Sequence, residues 1–237
     1  MHIAAMDHMA NNGDSFLHRA RPVTKVCMTF LFLAGLIFSN QIGKAAILLV
    51  IPVIFILLSG VNIKEILHLA AYPLVFSLIF AFIRMQQSWT AGLLVMIKAL
   101  GAALNLLVLL ATTPYTDFFG VFSYVLPGAM VDVFLFTYRS LFILLDKLEN
   151  MMRSIRLRGG FHPMRILFNL KNAAGALGVM TIQAFDMSER LYRIYAIRGY
   201  KGKIPITREW WPLRLVDGLL ILFSLIVLTG VLIPWSI

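Results

Sequence analysis

Two eleven-residue segments, forty positions apart, carry the side chains best placed to do chemistry in this sequence. Glu149, Arg153, Leu157, Arg158 and Gly159 of the first recur as Glu189, Arg193, Ile197, Arg198 and Gly199 of the second. A glutamate four residues before an arginine pairs with it along one helical face in the favourable orientation. The glycine can take the left-handed conformation that ends a helix. The arginine before it then sits at the tip, where its charge complements the helix dipole. Each segment therefore predicts a short helix that stops abruptly and projects a guanidinium beyond its end. The chemistry open to such a group is recognition, because a planar, permanently charged fork can take a carboxylate in two parallel hydrogen bonds. Taken singly, Arg before Gly is ordinary helix-ending chemistry. Two copies on one basic stretch suit a partner with two equivalent acidic pockets, such as a dimer.

Other chemistry is poorly represented. The histidines His2, His8, His18, His68 and His162 lack the i, i+4 spacing of metal ligands, and no carboxylate cluster accompanies them. No metal site is expected in this chain. Cys27 is the single cysteine and lies in an apolar run, so it can form neither a disulfide within the chain nor a thiolate-metal site. No Gly-rich phosphate loop of the Walker type occurs, so ATP hydrolysis would have to take place elsewhere. A stand-alone membrane enzyme would show acidic, His or phosphate-binding motifs near the interface, and no convincing set is found. The permease of a conventional ABC importer would carry one coupling loop with a Glu-Ala-Ala signature, to which Ala173, Ala174 and Gly175 bear only a distant likeness. Lys98, two turns into an apolar segment, reads as structural, and Asp217 as interfacial.

The elements that must position the two tips are membrane elements. Hydrophobic residues make up 60% of the 237 and charged residues only 14%, and the mean hydropathy is +0.85. A soluble domain has about half and a quarter respectively. That much apolar surface requires lipid. Apolar segments at 23–42, 45–61, 67–84, 91–112 and 214–235 predict five transmembrane helices. Lys25, Lys44 and Lys64 at segment ends are placed to snorkel, and Trp210, Trp211 and Trp235 flank the last span as interfacial aromatics. Residues 1–21 read as polar and irregular, with a loop signal at Asn11, Asn12, Gly13 and Asp14. No signal peptide is expected, since the first apolar run begins only after Lys25 and no cleavage site follows it.

Between 113 and 213 the character changes, for 13 of the 21 basic residues fall there. Two apolar stretches, 126–145 and 173–185, interrupt the region. If both crossed the membrane, Arg153, Arg156, Arg158, Arg165 and Lys171 would lie outside, against the positive-inside rule. The region is therefore expected on the cytoplasmic side, as helices lying partly against the membrane surface. Pro127 suits the first turn of a helix. Asp132, Arg139, Asp146 and Arg153, seven apart, mark a polar stripe along it, and a helix from Pro127 to Leu157 would run about 45 Å, with a bend plausible near Asp146. The organisation expected is an N-terminal segment with four spans over 1–112, a coupling-helix region over 113–213, and a fifth span over 214–237. The net charge of +10 follows from cytoplasmic Lys and Arg meeting anionic headgroups, and nucleic acid is not an expected partner.

The Arg-Gly helix ends, the five spans and the interposed basic region together resemble the T component of energy-coupling factor (ECF) transporters, the CbiQ family. In that family two short X-Arg-X motifs end coupling helices, and Leu157-Arg158-Gly159 and Ile197-Arg198-Gly199 occupy those places. Residues 17–25, with Arg21, Pro22 and Lys25, resemble the family's basic-Pro-x-x-Lys approach to the first span. Many members carry Ala before the motif arginine, where this chain has Leu157 and Ile197. The resemblance implies an all-α polytopic protein of the bacterial or archaeal cell membrane with no catalytic residues and no cofactor of its own. It implies two cytosolic ABC-type ATPases, binding ATP and Mg, that receive Arg158 and Arg198, and a separate membrane subunit that binds the solute. Cobalt or nickel is the expected cargo, with a vitamin such as biotin the alternative.

Overall fold

A computed structural model of the chain describes residues 2–124, 126–200 and 215–233. Among the described residues the regular elements are all α-helices. The sequence-predicted aromatic flanks Trp210, Trp211 and Trp235 lie outside the described residues. The chain divides into two compact units, residues 1–121 with 208–237, and residues 122–207.

In the first unit, α1 (His2–Asn12) and α2 (Phe16–Arg19) precede α3 (Pro22–Phe38), α4 (Ile42–Ser59), α5 (Ile63–Met85) and α6 (Trp89–Thr112), and a short α7 (Tyr115–Phe122) follows. The segment expected to be irregular before residue 21 is thus largely helical. The reason is burial: Met6 and Ala10, four apart, and Leu17 all reach the core. The loop signal survives as the break between α1 and α2. The last helix lies at Leu215–Leu232 and packs on α3. Helix α6 is the hub, touching α1, α3, α4 and α5.

The core shows why these helices associate in a solvent as apolar as they are. Phe32, Phe55 and Phe223 form a tilted and edge-on trio with centroids 6.2–6.4 Å apart, joining α3, α4 and the last helix. Between α5 and α6 small residues let backbones approach. Ala70 and Ala81 are fully covered, and a Cβ on Gly92 would lie 2.9 Å from the Ala81 carbonyl oxygen. Buried Asn105 of α6 donates to the Thr29 carbonyl of α3 at 3.1 Å. The outward faces remain apolar; Phe76, Phe80 and Phe82 of α5 are exposed, as lipid-facing side chains should be.

Lysines placed at the span ends do something other than snorkel. Lys25 is buried, and its Nζ donates to the Thr112 carbonyl at the end of α6 at 2.7 Å. Lys44 Nζ donates to the Val231 and Ile233 carbonyls at the end of the last helix, both at 2.7 Å. Lys98 Nζ reaches the Ile37 carbonyl at the end of α3 at 3.2 Å, which fits its structural reading. Each ammonium satisfies C-terminal carbonyls of a neighbouring helix and meets the negative end of its dipole. Only Lys64 of the expected three stays exposed. Asp217, in the first turn of the last helix, is fully buried, accepts the Arg21 N–H at 2.9 Å and pairs with the Arg21 guanidinium at 3.8 Å.

By length and composition α4, α5, α6, the last helix and the second unit's Gly128–Leu157 could each cross a membrane. The set differs from the sequence prediction at two helices: Gly128–Leu157, expected on the membrane surface, is long and apolar enough to cross, and Pro22–Phe38 falls short. Pro22–Phe38 has 17 residues, about 25 Å, because the chain turns at Ser39 instead of continuing to 42. Lys98 supplies the donor its early end requires.

The second unit is a helical hairpin of α8 (Gly128–Leu157) and α9 (Ile166–Ile197). Both helices are long, at 30 and 32 residues. The expectation of two short helices is therefore corrected: continuous apolar faces carry each one through. Helix α8 is unbroken past Asp146. The last helix, Leu215–Leu232, is α10.

Candidate functional site

Both Arg-Gly segments end their helices by the same hydrogen-bond pattern. In the first, the Gly160 N–H donates to the Ile155 carbonyl at 2.8 Å and the Gly159 N–H to the Arg156 carbonyl at 3.0 Å. In the second, the Tyr200 N–H donates to Tyr195 at 2.9 Å and the Gly199 N–H to Ala196 at 3.1 Å. These are paired 6→1 and 5→2 bonds of a Schellman motif. Gly159 and Gly199 take φ +72° and +73°, a conformation that Cβ sterics penalise in other residues. Arg158 and Arg198 are the capping residues themselves, and both are exposed.

Each arginine follows a large apolar side chain that is almost wholly open, Leu157 at 84% and Ile197 at 88% exposed. At each tip the Schellman bonds pair two of the last carbonyls, so the backbone costs less to withdraw from water, and the guanidinium needs an acidic partner there. The supporting ion pairs are unequal. Glu189 and Arg193 are bonded, whereas Glu149 and Arg153 make no ion pair among the described residues. Both pairs are exposed, so each contributes at most a few tenths of a kcal/mol.

The two tips lie at opposite ends of the hairpin. Phe136 near the start of α8 stands 4.6 Å, centroid to centroid, from Tyr195 near the end of α9. At the other end the Asn172 amide of α9 donates to the Gly160 carbonyl at 2.6 Å. The helices are therefore antiparallel. With 22 residues between Phe136 and Arg158, the tips stand roughly 35 Å apart along the pair. Between the helices an apolar cleft of about 660 Å³ is lined by Phe136, Leu141 and Leu144 of α8 and Met187, Leu191 and Tyr195 of α9.

The sequence-predicted polar stripe on α8 holds for Arg139, Asp146 and Arg153, which are exposed. Asp132 departs from it. It is buried beneath Tyr200, whose phenol donates to Asp132 Oδ2 at 2.7 Å. That bond, then burial and the carboxylate charge, push the Tyr200 phenol above its ordinary range. Sequence reasoning missed Tyr200, Asn169, Asn172 and Gly160. One signal was available: a Schellman motif often brings an apolar contact between the residue after its glycine and the helix residue five positions earlier, here Tyr200 on Tyr195 at 6.0 Å. Gly160 needs to be small, since a Cβ there would lie 2.4 Å from Ile155 Cγ2 and 2.9 Å from the Ile155 carbonyl.

Comparison with known proteins adds the family. Two uncharacterized proteins of Methanocaldococcus jannaschii are similar to this chain, one 31% identical over 120 residues (48% of this chain and 42% of the relative) and the other 30% identical over 102 residues (43% and 34%). The chain thus matches less than half the length of each. A family model, CbiQ, described as cobalt transport protein, matches residues 13–210, which include both helix ends and the helices leading to them. The chain therefore belongs to the CbiQ family, described as cobalt transport protein, and its five long apolar helices make it a multi-pass membrane protein.

Proposed function

We propose that the chain is the transmembrane coupling subunit, or T component, of an energy-coupling factor importer for cobalt or nickel. In this reading two cytosolic ABC-type ATPases, which bind ATP and Mg, each take one helix tip. A separate membrane subunit binds the solute. The present chain passes the closing motion of the ATPases to that subunit through its hairpin. With the N-terminus inside, α3 to α6 return the chain to the cytoplasm of a bacterial or archaeal cell, the region 113–213 stays there, and α10 leaves again.

The observation that carries the reading is the matched pair of Schellman-closed ends, each presenting an exposed arginine behind an exposed apolar residue. A twofold partner offers two like pockets, and two like ligands set apart on one rigid hairpin are what such a partner requires. Arginine suits the task because an acidic pocket can grip it by two parallel charge-assisted bonds. The family's description as cobalt transport supports a metal cargo.

Co-purification tests this directly. The solubilised wild-type complex is expected to contain two ATPase chains and a small membrane protein. Arg158→Ala and Arg198→Ala are expected to insert normally, to lose at least tenfold in ATPase retention, and in combination to abolish Co2+ uptake. Arg→Lys at either site should recover little, since a point charge has no second prong. Wild-type uptake by the double alanine variant would end the proposal.

A further inference from the structure

The two tips share a backbone but are fastened differently. The first is held by amides: Asn172 donates to the Gly160 carbonyl. Asn169 accepts the His162 N–H at 2.8 Å and donates to the His162 carbonyl at 2.7 Å. The second is held by a phenol and a buried carboxylate. Tyr200 supplies the Schellman donor with its N–H and, with its hydroxyl, the 2.7 Å bond to Asp132, which is 2% exposed. Around this bond Phe136 lies 5.9 Å from the Tyr200 ring, and Arg139 donates to the Tyr195 hydroxyl at 3.4 Å. Each tip is thereby tied to the beginning of the opposite helix, but only the second through a single side chain adjoining its glycine.

We infer that Tyr200 and Asp132 form a clasp that positions Arg198 for its partner, Tyr200 acting as a positioning residue. Gly199, at φ +73° with nothing near its missing Cβ, is the joint at which the chain leaves the helix. The turn that closes around Arg198 depends on the Tyr200 N–H, one of its two Schellman donors, so the tip stays closed while Tyr200 stays in place. Tyr200 is held by its phenol, because a bond from a hydroxyl to a carboxylate is charge-assisted, and releasing it would weaken the satisfaction of a buried acid. An Arg198 pre-oriented in this way loses less freedom on docking, which is affinity gained without a new contact. The inference rests on the coupling reading for the identity of the partner, but the clasp can be examined without it.

The experiment titrates the partner ATPase against the protein in nanodiscs. Tyr200→Phe, which keeps the ring and removes only the hydroxyl, is expected to weaken binding severalfold. Asp132→Ala should do the same. Asp132→Asn, whose amide oxygen still accepts the phenol proton without the charge, should lose clearly less than Asp132→Ala. In an Arg198→Ala background, Tyr200→Phe should cost nothing further, since a clasp has no effect without the group it positions. Equal loss in both backgrounds would reduce the bond to general stability and overturn the inference, as would wild-type binding by Tyr200→Phe. Should Arg198→Ala itself bind normally, the coupling reading fails. The clasp is then judged by nitroxide pairs at Leu145→Cys and Ile197→Cys in a Cys27→Ser background. Their distance distribution is expected to be about twice as broad in Tyr200→Phe as in Asp132→Asn, and equal widths would overturn the inference.

Discussion

At the scale of single residues, the account rests on what a glycine permits and what an arginine offers. Gly159 and Gly199 hold positive φ in open surroundings, so the obstacle to replacing them is backbone strain alone. Gly199→Val and Gly159→Val are expected to cost ~1–3 kcal/mol locally, seen as faster hydrogen exchange at the amides of residues 199–200 or 159–160 and weaker ATPase retention. Gly178→Ala, at an ordinary helical position with open space around it, should leave both unchanged. These two sites were legible in the sequence because a Schellman cap is local chemistry, contained within six residues. The Tyr200–Asp132 bond was not legible, since its partners stand 68 positions apart and neither belongs to a motif of its own. Asp132 read as one more member of a polar stripe; only the arrival of the end of α9 at the start of α8 makes it a buried anchor.

At the scale of elements, the recurring device is a lysine from one helix closing the C-terminus of another. Lys25 closes α6, Lys98 closes α3 and Lys44 closes α10. In a membrane this matters more than in water, because an orphan carbonyl has no solvent to turn to. Lys44→Met is therefore expected to lower the unfolding free energy of the detergent-solubilised protein by ~2 kcal/mol, within the range for a hydrogen bond to a charged group. Lys64→Met, at an exposed position, should leave it unchanged; equal effects would contradict the capping account. The sequence placed Lys25 and Lys44 at helix ends correctly and assigned them the wrong role, whereas its structural reading of Lys98 holds. Snorkelling and capping begin from the same position, and the choice depends on which carbonyls lie nearby. Those carbonyls are 87 residues away for Lys25 and 187 for Lys44. The same distance hid the partner of Asp217. Helix lengths fared better, as apolar runs are counted directly, although α3 stops short where Ser39 turns the chain.

At the scale of the molecule, a bundle built for lipid carries a hairpin built for recognition. The bundle's outer faces are apolar, and Lys25, Lys44 and Asp217 are turned inward onto carbonyls and the Arg21 backbone and guanidinium. The hairpin's charges are mostly exposed and its ends are chemically alike. How the hairpin lies is decisive, because α8 is by length and composition able to cross a membrane, and a span of roughly 35 Å between tips is close to a bilayer's hydrocarbon thickness. Standing upright, it would set Arg158 and Arg198 on opposite faces, and no dimeric motor could hold both. Lying along the cytoplasmic surface, it presents both to one partner. Single cysteines at Leu157 and Ile197, both almost wholly exposed beside the two arginines, in a Cys27→Ser background, separate the cases with a membrane-impermeant maleimide. The coupling account predicts that both sites are modified from the cytoplasmic side of inverted vesicles and that neither is modified in intact cells. Modification of either one from the outside would contradict it.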